Sequence, residues 1–469
     1  MKTYINETIK SEIGKEILVS GWIHRLRKMG KLIFFDLRDS TGILQVVCVP
    51  SEMTDGEILK DLGCETVVEI KGIVQKRGEK QINKELLTGE IELLAKDLKI
   101  LSKSEVPPFE IENEDRQANE ELRLKYRYLD LRHERMTKNL KARYEVIHFL
   151  RNYLHDKNFT EIQTPILTKS TPEGARDYVV PSRLHKGKFF ALPQAPQQYK
   201  QLLMIAGLEK YFQIAPCFRD EDARSDRSPG EFYQVDIETS FFSQDDILNL
   251  VESMISEMVE KLFPEKTITF KPWPRIDHDE AIKKYGSDKP DLRKDKNDVN
   301  ELAFAWVVNF PLFVEQSNDD RFVGAGDKWA PSHNMFTAPQ EKDLELLNTD
   351  PSKIKSYQND LALNGFELGG GALRIHDMKI QEKVWNLIGF TEKQKEEFKH
   401  YFEAFKYGVP PHGGIALGVE RLMMILMGEK TLKEVIAFPL TSDGRDPMMD
   451  SPSEITKSQF DELGIQLKN

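Results

Sequence analysis

The segment Lys210 to Ser240 reads as strand, loop, strand, and each strand concentrates polar groups on one face. In the first, Gln213, Ala215, Cys217 and Arg219 alternate with Phe212, Ile214, Pro216 and Phe218, and Glu221 continues the polar set. In the return strand, Gln234, Asp236 and Glu238 alternate with Val235, Ile237 and Thr239. A highly charged loop, 222–231 (DARSDRSPGE), joins them. A water-facing sheet edge would read the same way. Guanidinium and carboxylate groups on neighbouring strands are also what a site for phosphate and ammonium needs.

Three other clusters carry comparable groups. In Pro193-Gln194-Ala195-Pro196-Gln197-Gln198-Tyr199-Lys200, Pro196 suits the first residue of a helix, which puts Gln197 and Lys200 on one face. Asp360 precedes Phe366-Glu367-Leu368-Gly369-Gly370-Gly371-Ala372-Leu373-Arg374. Three glycines weaken a strand unless the backbone bulges or comes close to a ligand. Glu367 and Arg374 are seven positions apart, so a regular strand would send them to opposite faces. A bulge at the glycines would reset the register and turn both into one pocket. The fourth cluster is Gly413-Gly414-Ile415-Ala416-Leu417-Gly418-Val419-Glu420-Arg421, a strand entering a helix with Arg421 in its first turn.

The elements that must position these groups fall into two regions. Residues 1–103 are β-rich. Short runs at Ile17–Val19, Leu32–Leu37, Ile43–Val49, Thr66–Val74 and Ile91–Leu101 are separated by turn signals, which suits a small closed barrel such as an OB-fold. A polar linker spans 104–136. From 137 to 469 the pattern is α+β, with helices around a mostly antiparallel sheet. Helical spacing is clear over 137–157, with Leu140, Tyr144, Ile147, Leu150 and Leu154 on one face. Ser243 to Asp246 forms a capping box ahead of a second helix, whose Met254 and Met258 read as core. A third helix is expected over Thr391 to Tyr407, with Phe398, Phe402 and Phe405 inward and Gly408 closing it.

Composition narrows the class. The 469 residues are 39% hydrophobic and 30% charged, ordinary for a globular chain with a sizeable core. No window approaches a membrane span, and the polar start has no signal-peptide pattern, so a cytoplasmic location is expected. Cys48, Cys64 and Cys217 form no CxxC pair and argue for neither a zinc site nor a disulfide framework. The net charge of −11 is adverse to nucleic acid, yet residues 21–31 (GWIHRLRKMGK) carry Arg25, Arg27, Lys28 and Lys31 without an acid.

Phe218-Arg219-Asp220-Glu221 resembles motif 2 of class II aminoacyl-tRNA synthetases, and Gly418-Val419-Glu420-Arg421 resembles motif 3. Phe159-Thr160-Glu161-Ile162-Gln163-Thr164-Pro165 resembles motif 1, whose proline lies at the dimer interface in that class. Thr171-Pro172-Glu173-Gly174-Ala175-Arg176-Asp177-Tyr178, with Gln197 and Lys200, is similar to the bacterial-type aspartyl enzymes in particular. The similarity runs from Gly21-Trp22 to Leu463-Gly464-Ile465.

The resemblance implies a homodimer that activates L-aspartate with ATP and transfers it to the 3′ end of tRNA-Asp, with tRNA-Asn open as a second acceptor. Arg219 and Arg421 would be the catalytic cations on the α- and γ-phosphates. ATP contacts would come from Arg219, Asp220, Glu221, Ser228, Glu367, Gly418, Val419, Glu420 and Arg421. Asp360 and Glu367 would hold Mg²⁺. Aspartate would meet Glu173, Gln197, Lys200, Arg219, Asp236, His333 and Arg374. Glu173, Gln197 and Asp236 are expected at the α-ammonium. Lys200 and Arg374 are expected as buried cations that stay uncompensated until the substrate carboxylate arrives. In the barrel, the anticodon readers would be Arg27, Phe34, Gln45 and Glu92, with Phe34 and Phe35 facing opposite ways.

The chain departs from the pattern in three places. Ala195 replaces a common serine. Residues 285–305 look like the remnant of a lost insertion domain, since Tyr285 to Arg293 resembles its leading edge and the family core resumes at Trp306. Residues 322–331 match nothing in the family pattern. Asparaginyl- and lysyl-tRNA synthetases share the expected fold, an asparagine synthetase-like paralogue would lack the barrel, and a pure RNA-binding module would lack the ATP residues.

Overall fold

A computed structural model describes residues 2–111, 118–171, 173–221, 230–316, 326 and 328–467. The chain divides into two units, Met1–Ala118 and Asn119–Asn469.

The first unit is a closed five-stranded barrel of β1 (Glu16–Met29), β2 (Leu32–Asp39), β3 (Gly42–Cys48), β4 (Val67–Lys76) and β5 (Ile91–Ser102), in the order β1-β2-β3-β5-β4. Alternation decides what goes inside: Phe35, Leu37, Leu44, Val46, Val68, Ile70 and Leu93 are fully buried. Their neighbours in sequence stand on the outer surface. Closure leaves no bare sheet edge.

The second unit is built on an eight-stranded sheet. Its strands are β6 (Thr160–Glu161), β7 (Lys210–Arg219), β8 (Gly230–Ser240), β9 (Arg275–Asp277), β10 (Phe304–Val308), β11 (Gln358–Leu363), β12 (Phe366–Leu373) and β13 (His412–Gly418). Their order is β9-β10-β11-β12-β13-β8-β7-β6, antiparallel except for the two edge pairs β9–β10 and β6–β7. On one face, Phe212, Val235, Ile237, Leu361, Ile415 and Leu417 pack with α1 (Glu134–Asp156) and with α3 (Gln244–Leu262), which follows a shorter helix, α2 (Gln197–Ile205). Burial of each such aliphatic side chain contributes roughly 1.5–3 kcal/mol. The opposite face carries the polar residues of the same strands. One alternation thus sets both the core and the site.

The Ser243–Asp246 capping box opens α3, and Met254 and Met258 are core residues. Two helical expectations need correcting. Tyr144 lies on α1 but is 63% exposed, because the buried stripe runs through Val146, Leu150 and Leu154 instead. The helix expected over 391–407 is two helices, Glu392–Glu397 and Lys399–Phe405. Phe398 breaks out of helical geometry at φ −97°, ψ 13° and inserts fully among Trp385, Phe390 and Phe336. No helix among the described residues is long and apolar enough to cross a membrane.

Candidate active site and nucleic-acid face

The polar face of the sheet floors a cavity of about 370 Å³. Glu173, Gln197, Lys200, Arg219, Glu221, His333, Glu367, Gly418, Glu420, Arg421 and Arg374 line it. The strand register explains the meeting. Gln213, Asp236 and Ala416 lie side by side on β7, β8 and β13, and Gly370 and Asp360 extend the same row across β12 and β11. The pairing of β11 with β12 slips between Leu361 and Ala362, opposite Gly369 and Glu367, so Leu368 is the extra residue. This bulge brings Glu367 and Arg374, seven apart, into the same cavity.

The glycines are needed for close approach. A Cβ at Gly370 would stand 2.8 Å from Asp360 Oδ1 and 3.2 Å from His333 Cε1. A Cβ at Gly414 would stand 2.2 Å from Glu238 Oε2. Carboxylates therefore lie directly over bare backbone in the middle of the sheet.

Below the cavity is a buried charge cluster. Lys200 Nζ donates to Asp236 Oδ1 at 2.5 Å and lies 3.3 Å from Glu238 Oε2. Arg374 Nε donates to Glu238 Oε1 at 3.1 Å, while its Nη1 is buried with no partner among the described residues. Both cations are thus already compensated by carboxylates, which corrects the expectation that they wait unpaired. Asp236 does not line the cavity; it lies beneath it, with Lys200 and Tyr211 as its partners. Burial raises its carboxyl and Lys200 opposes that rise. Burial also pulls Glu238 upward, but Arg374 and Lys200 outweigh it and hold it below the usual range. Glu238 lay on the predicted polar face without a role; its even spacing from Gln234 and Asp236 was the available signal.

Around the rim, Glu173 accepts from Thr171 Oγ1 and Gln198 Nε2, both at 2.9 Å, and burial raises its pKa. Gln197 sits on the buried face of α2 with Lys200 and donates to Gln201. Arg219 donates to the Gln194 carbonyl and lies 5.1 Å from the Phe232 ring centroid. Phe232 also lines the cavity. Its signal was parity, being an aromatic on the strand's polar face. His333 is pushed down to about 3, by burial first and then by the Arg374 charge, so its ring is neutral.

Glu367 and Asp360 form a carboxylate pair. Burial and the Glu367 charge raise Asp360, whose hydrogen-bond partner is the Gln358 amide at 3.2 and 3.4 Å. Lys289 and Arg421 outweigh burial at Glu367 and lower it. Arg421, in the first turn of α4 (Val419–Leu426), bonds the Glu367 carbonyl. Glu420 accepts from Arg143 at 2.6 Å and from the Tyr233 backbone at 3.0 Å, anchoring α4. Val419 is core, and Asp220 is outside the cavity lining. Ser228 lies outside the described residues. Among the described residues, no group of three or more His, Cys, Asp or Glu is arranged for a metal.

In the barrel, Arg27, Phe34, Gln45 and Glu92 share one outer face. Arg27 is the cross-strand partner of Phe34, and its guanidinium donates to Asp36 at 2.9 Å and to Gln45 at 3.4 Å. Gln45 donates to Glu92 at 2.7 Å. Phe34 is half-buried and Phe35 fully buried, so the pair does face opposite ways. Arg77, missed in the sequence, is buried with Nε on the Ile91 carbonyl and Nη2 without a partner among the described residues.

A five-stranded barrel ahead of a catalytic unit whose antiparallel sheet floors a pocket of arginines and carboxylates defines a class. The family described as class II tRNA synthetases (D, K and N) matches residues 119–442, and an OB-fold nucleic acid binding domain matches 17–101. The chain belongs to the class II tRNA synthetases of this group. It is 39% identical to an aspartate–tRNA(Asp/Asn) ligase of Rubrobacter xylanophilus, covering 97% of this chain and 95% of that protein. It is 35% identical to an aspartate–tRNA ligase of Staphylococcus saprophyticus, covering 100% and 99%. Among solved structures, an asparaginyl-tRNA synthetase from Pyrococcus horikoshii with asparaginyl-adenylate superposes with a TM-score of 0.74 at 25% identity, covering 94% of this chain and 98% of that one.

Proposed function

We infer that the chain is an aspartate–tRNA ligase, which uses ATP to activate aspartate and transfers it to tRNA. The single observation that carries this reading is the cavity in which Arg219, Arg374, Arg421 and Glu367 converge. The curated aspartate–tRNA ligases, at 35–39% identity over nearly the whole chain, support aspartate over asparagine or lysine.

In the first step the substrate α-carboxylate oxygen attacks the α-phosphorus. The bond to the bridging oxygen breaks and its electron pair leaves with pyrophosphate. Arg219 neutralises the α-phosphate and the attacking carboxylate, and Arg421 holds the γ-phosphate end. Glu221 faces the adenosine side, with Phe232 beside Arg219 as an apolar surface for the base. In the second step the terminal ribose 3′-oxygen attacks the adenylate carbonyl, loses its proton, and AMP departs.

The substrate side-chain carboxylate is read by Arg374 Nη1, which has no partner among the described residues, with Lys200, Asp236 and Glu238 fixing the guanidinium from below. Since that cluster is already neutral, an asparagine amide loses the charge on the hydrogen bond rather than exposing bare cations. Glu173 and Gln197 take the α-ammonium, and His333 acts as a neutral donor beside Arg374. Asp360 and Glu367 fit Mg²⁺: two hard carboxylates suffice when nucleotide phosphates complete the shell, and buried Asp360 has, among the described residues, one amide as its hydrogen-bond partner. Bound there, Mg²⁺ supplies charge neutralisation of the phosphates.

Other features remain proposals: a cytoplasmic homodimer, tRNA-Asp with or without tRNA-Asn, and anticodon reading by Arg27, Phe34, Gln45 and Glu92. Ile166 and Leu167, 46% and 53% exposed just after Pro165, fit a face covered by a second copy. The Rubrobacter alignment spans 581 positions, over a hundred more than this chain, which fits the loss of a segment that the relative carries; 285–305 is its proposed place. ATP–pyrophosphate exchange with aspartate, asparagine and lysine in turn tests the assignment. Exchange with aspartate is expected, and exchange with asparagine or lysine alone would overturn it.

A further inference from the structure

The connection after the helix His278–Tyr285 reaches the carboxylate pair of the site. Gly286 ends that helix in the left-handed region at φ 70°, which turns the chain back toward the sheet. Two contacts shape the loop beyond it. The Lys289 backbone N–H donates to Ser287 Oγ at 3.0 Å, and Asp291 pairs with Arg293 at 2.8 Å. The Asp291 side chain abuts Gly365, in the turn between β11 and β12, where an added Cβ would meet it at 3.4 Å. The loop thereby passes beside the strand pair that carries Asp360 and Glu367. From it, Lys289 Nζ reaches to 3.2 Å from Glu367 Oε2. Arg421 contacts the same residue at its backbone carbonyl, so two cations flank Glu367. The Lys289 side chain is 40% exposed, leaving its ammonium room to move.

We propose that Lys289 is a further phosphate-binding residue, which pairs with Glu367 before the nucleotide arrives and then neutralises the departing pyrophosphate. This rests on the ATP reading above. When the β- and γ-phosphates enter beside Glu367, they offer Lys289 several anionic oxygens in place of one carboxylate. As the bond between the α-phosphorus and the bridging oxygen breaks, negative charge grows on the leaving group, and Lys289 and Arg421, which both contact Glu367, offset it. A flexible ammonium suits this task, being a point charge that can follow a moving group.

The test compares nucleotides with and without the leaving group on the full chain. Lys289→Met, Lys289→Arg and Arg421→Ala are titrated calorimetrically with ATP and with AMP, both with Mg²⁺. Lys289→Met is expected to weaken ATP about tenfold and AMP less than twofold. Its KM for pyrophosphate in exchange should rise comparably, and Lys289→Arg should restore most of both. A purely structural role would weaken AMP and ATP alike, and that result would overturn the proposal. Arg421→Ala weakening ATP while Lys289→Met does not would also overturn it, leaving the ATP site intact. A wild-type chain that binds no ATP would instead remove the reading beneath it.

Discussion

Arg374 and Glu238 form a two-point ion pair at the bottom of the sheet, Nε to Oε1 at 3.1 Å and Nη2 to Oε2 at 3.4 Å, and the remaining Nη1 has no partner among the described residues. The carboxylate fixes the fork of a guanidinium that lines the cavity, and on the function proposed above the third nitrogen is the one that reads the substrate. Arg374→Lys keeps the charge but loses the fork. Its kcat/KM for aspartate should fall about 100-fold, with the KM for ATP within about threefold, since a charge-assisted hydrogen bond contributes roughly 1.5–3 kcal/mol. Exchange kinetics with each substrate varied in turn checks this. An equal loss toward ATP would assign Arg374 to general site structure.

Removing Glu238 strands Arg374 in the sheet and leaves Lys200 with Asp236 alone. Glu238→Ala should lower stability by roughly 3–5 kcal/mol, as for other buried pairs broken on one side. Urea unfolding measures it. A change below about 1 kcal/mol would mean that water or Asp236 compensates Arg374 without help.

A methyl group at position 370 meets Asp360 at 2.8 Å and His333 at 3.2 Å. Gly370→Ala should therefore cut adenylate formation more than about tenfold. The melting temperature should move little by comparison, because the clash falls on the cavity side. Activity within twofold of wild type would show that Asp360 has freedom to retreat.

His412 is held neutral by burial, with Gln201 at Nε2 and the Pro410 carbonyl at Nδ1. Its folded pKa lies below the ordinary value of 6.5, so below that pH the unfolded chain binds the extra proton. Stability from this group is complete above pH 6.5 and declines as pH falls below it, by up to about 1.4 kcal/mol per pH unit. His412→Gln should unfold with a flatter slope between pH 5 and pH 7 than wild type. Parallel slopes would contradict the assignment.

Phe34 stands on the outer face of the barrel, paired across strands with Arg27. Base stacking on an aromatic ring contributes roughly 1–3 kcal/mol. Phe34→Ala should reduce tRNA charging at least about tenfold and leave ATP–pyrophosphate exchange within twofold. If exchange falls with charging, Phe34 supports folding rather than recognition.

Period-two patterning made much of this site legible in the sequence. The strands 210–219 and 230–240 fold as read, and the odd spacing of Glu367 and Arg374 called for the bulge that the structure has at Leu368. The Phe34 and Phe35 alternation was readable for the same reason. What escaped depends on contacts between distant segments. Lys200 and Asp236 are 36 apart, and Arg374 and Glu238 136 apart, so no local pattern announces that the cations are already neutralised. The break at Phe398 escaped too, because the pull of an aromatic cluster at Trp385 and Phe336 outweighs the helical pattern around it.

The most direct measurement is charging itself, with purified wild-type chain, labelled amino acid and tRNA-Asp. Aspartate should become esterified to tRNA-Asp in an ATP-dependent reaction, and asparagine and lysine should not. Absence of aspartyl-tRNA, or charging with asparagine or lysine in its place, would contradict the assignment.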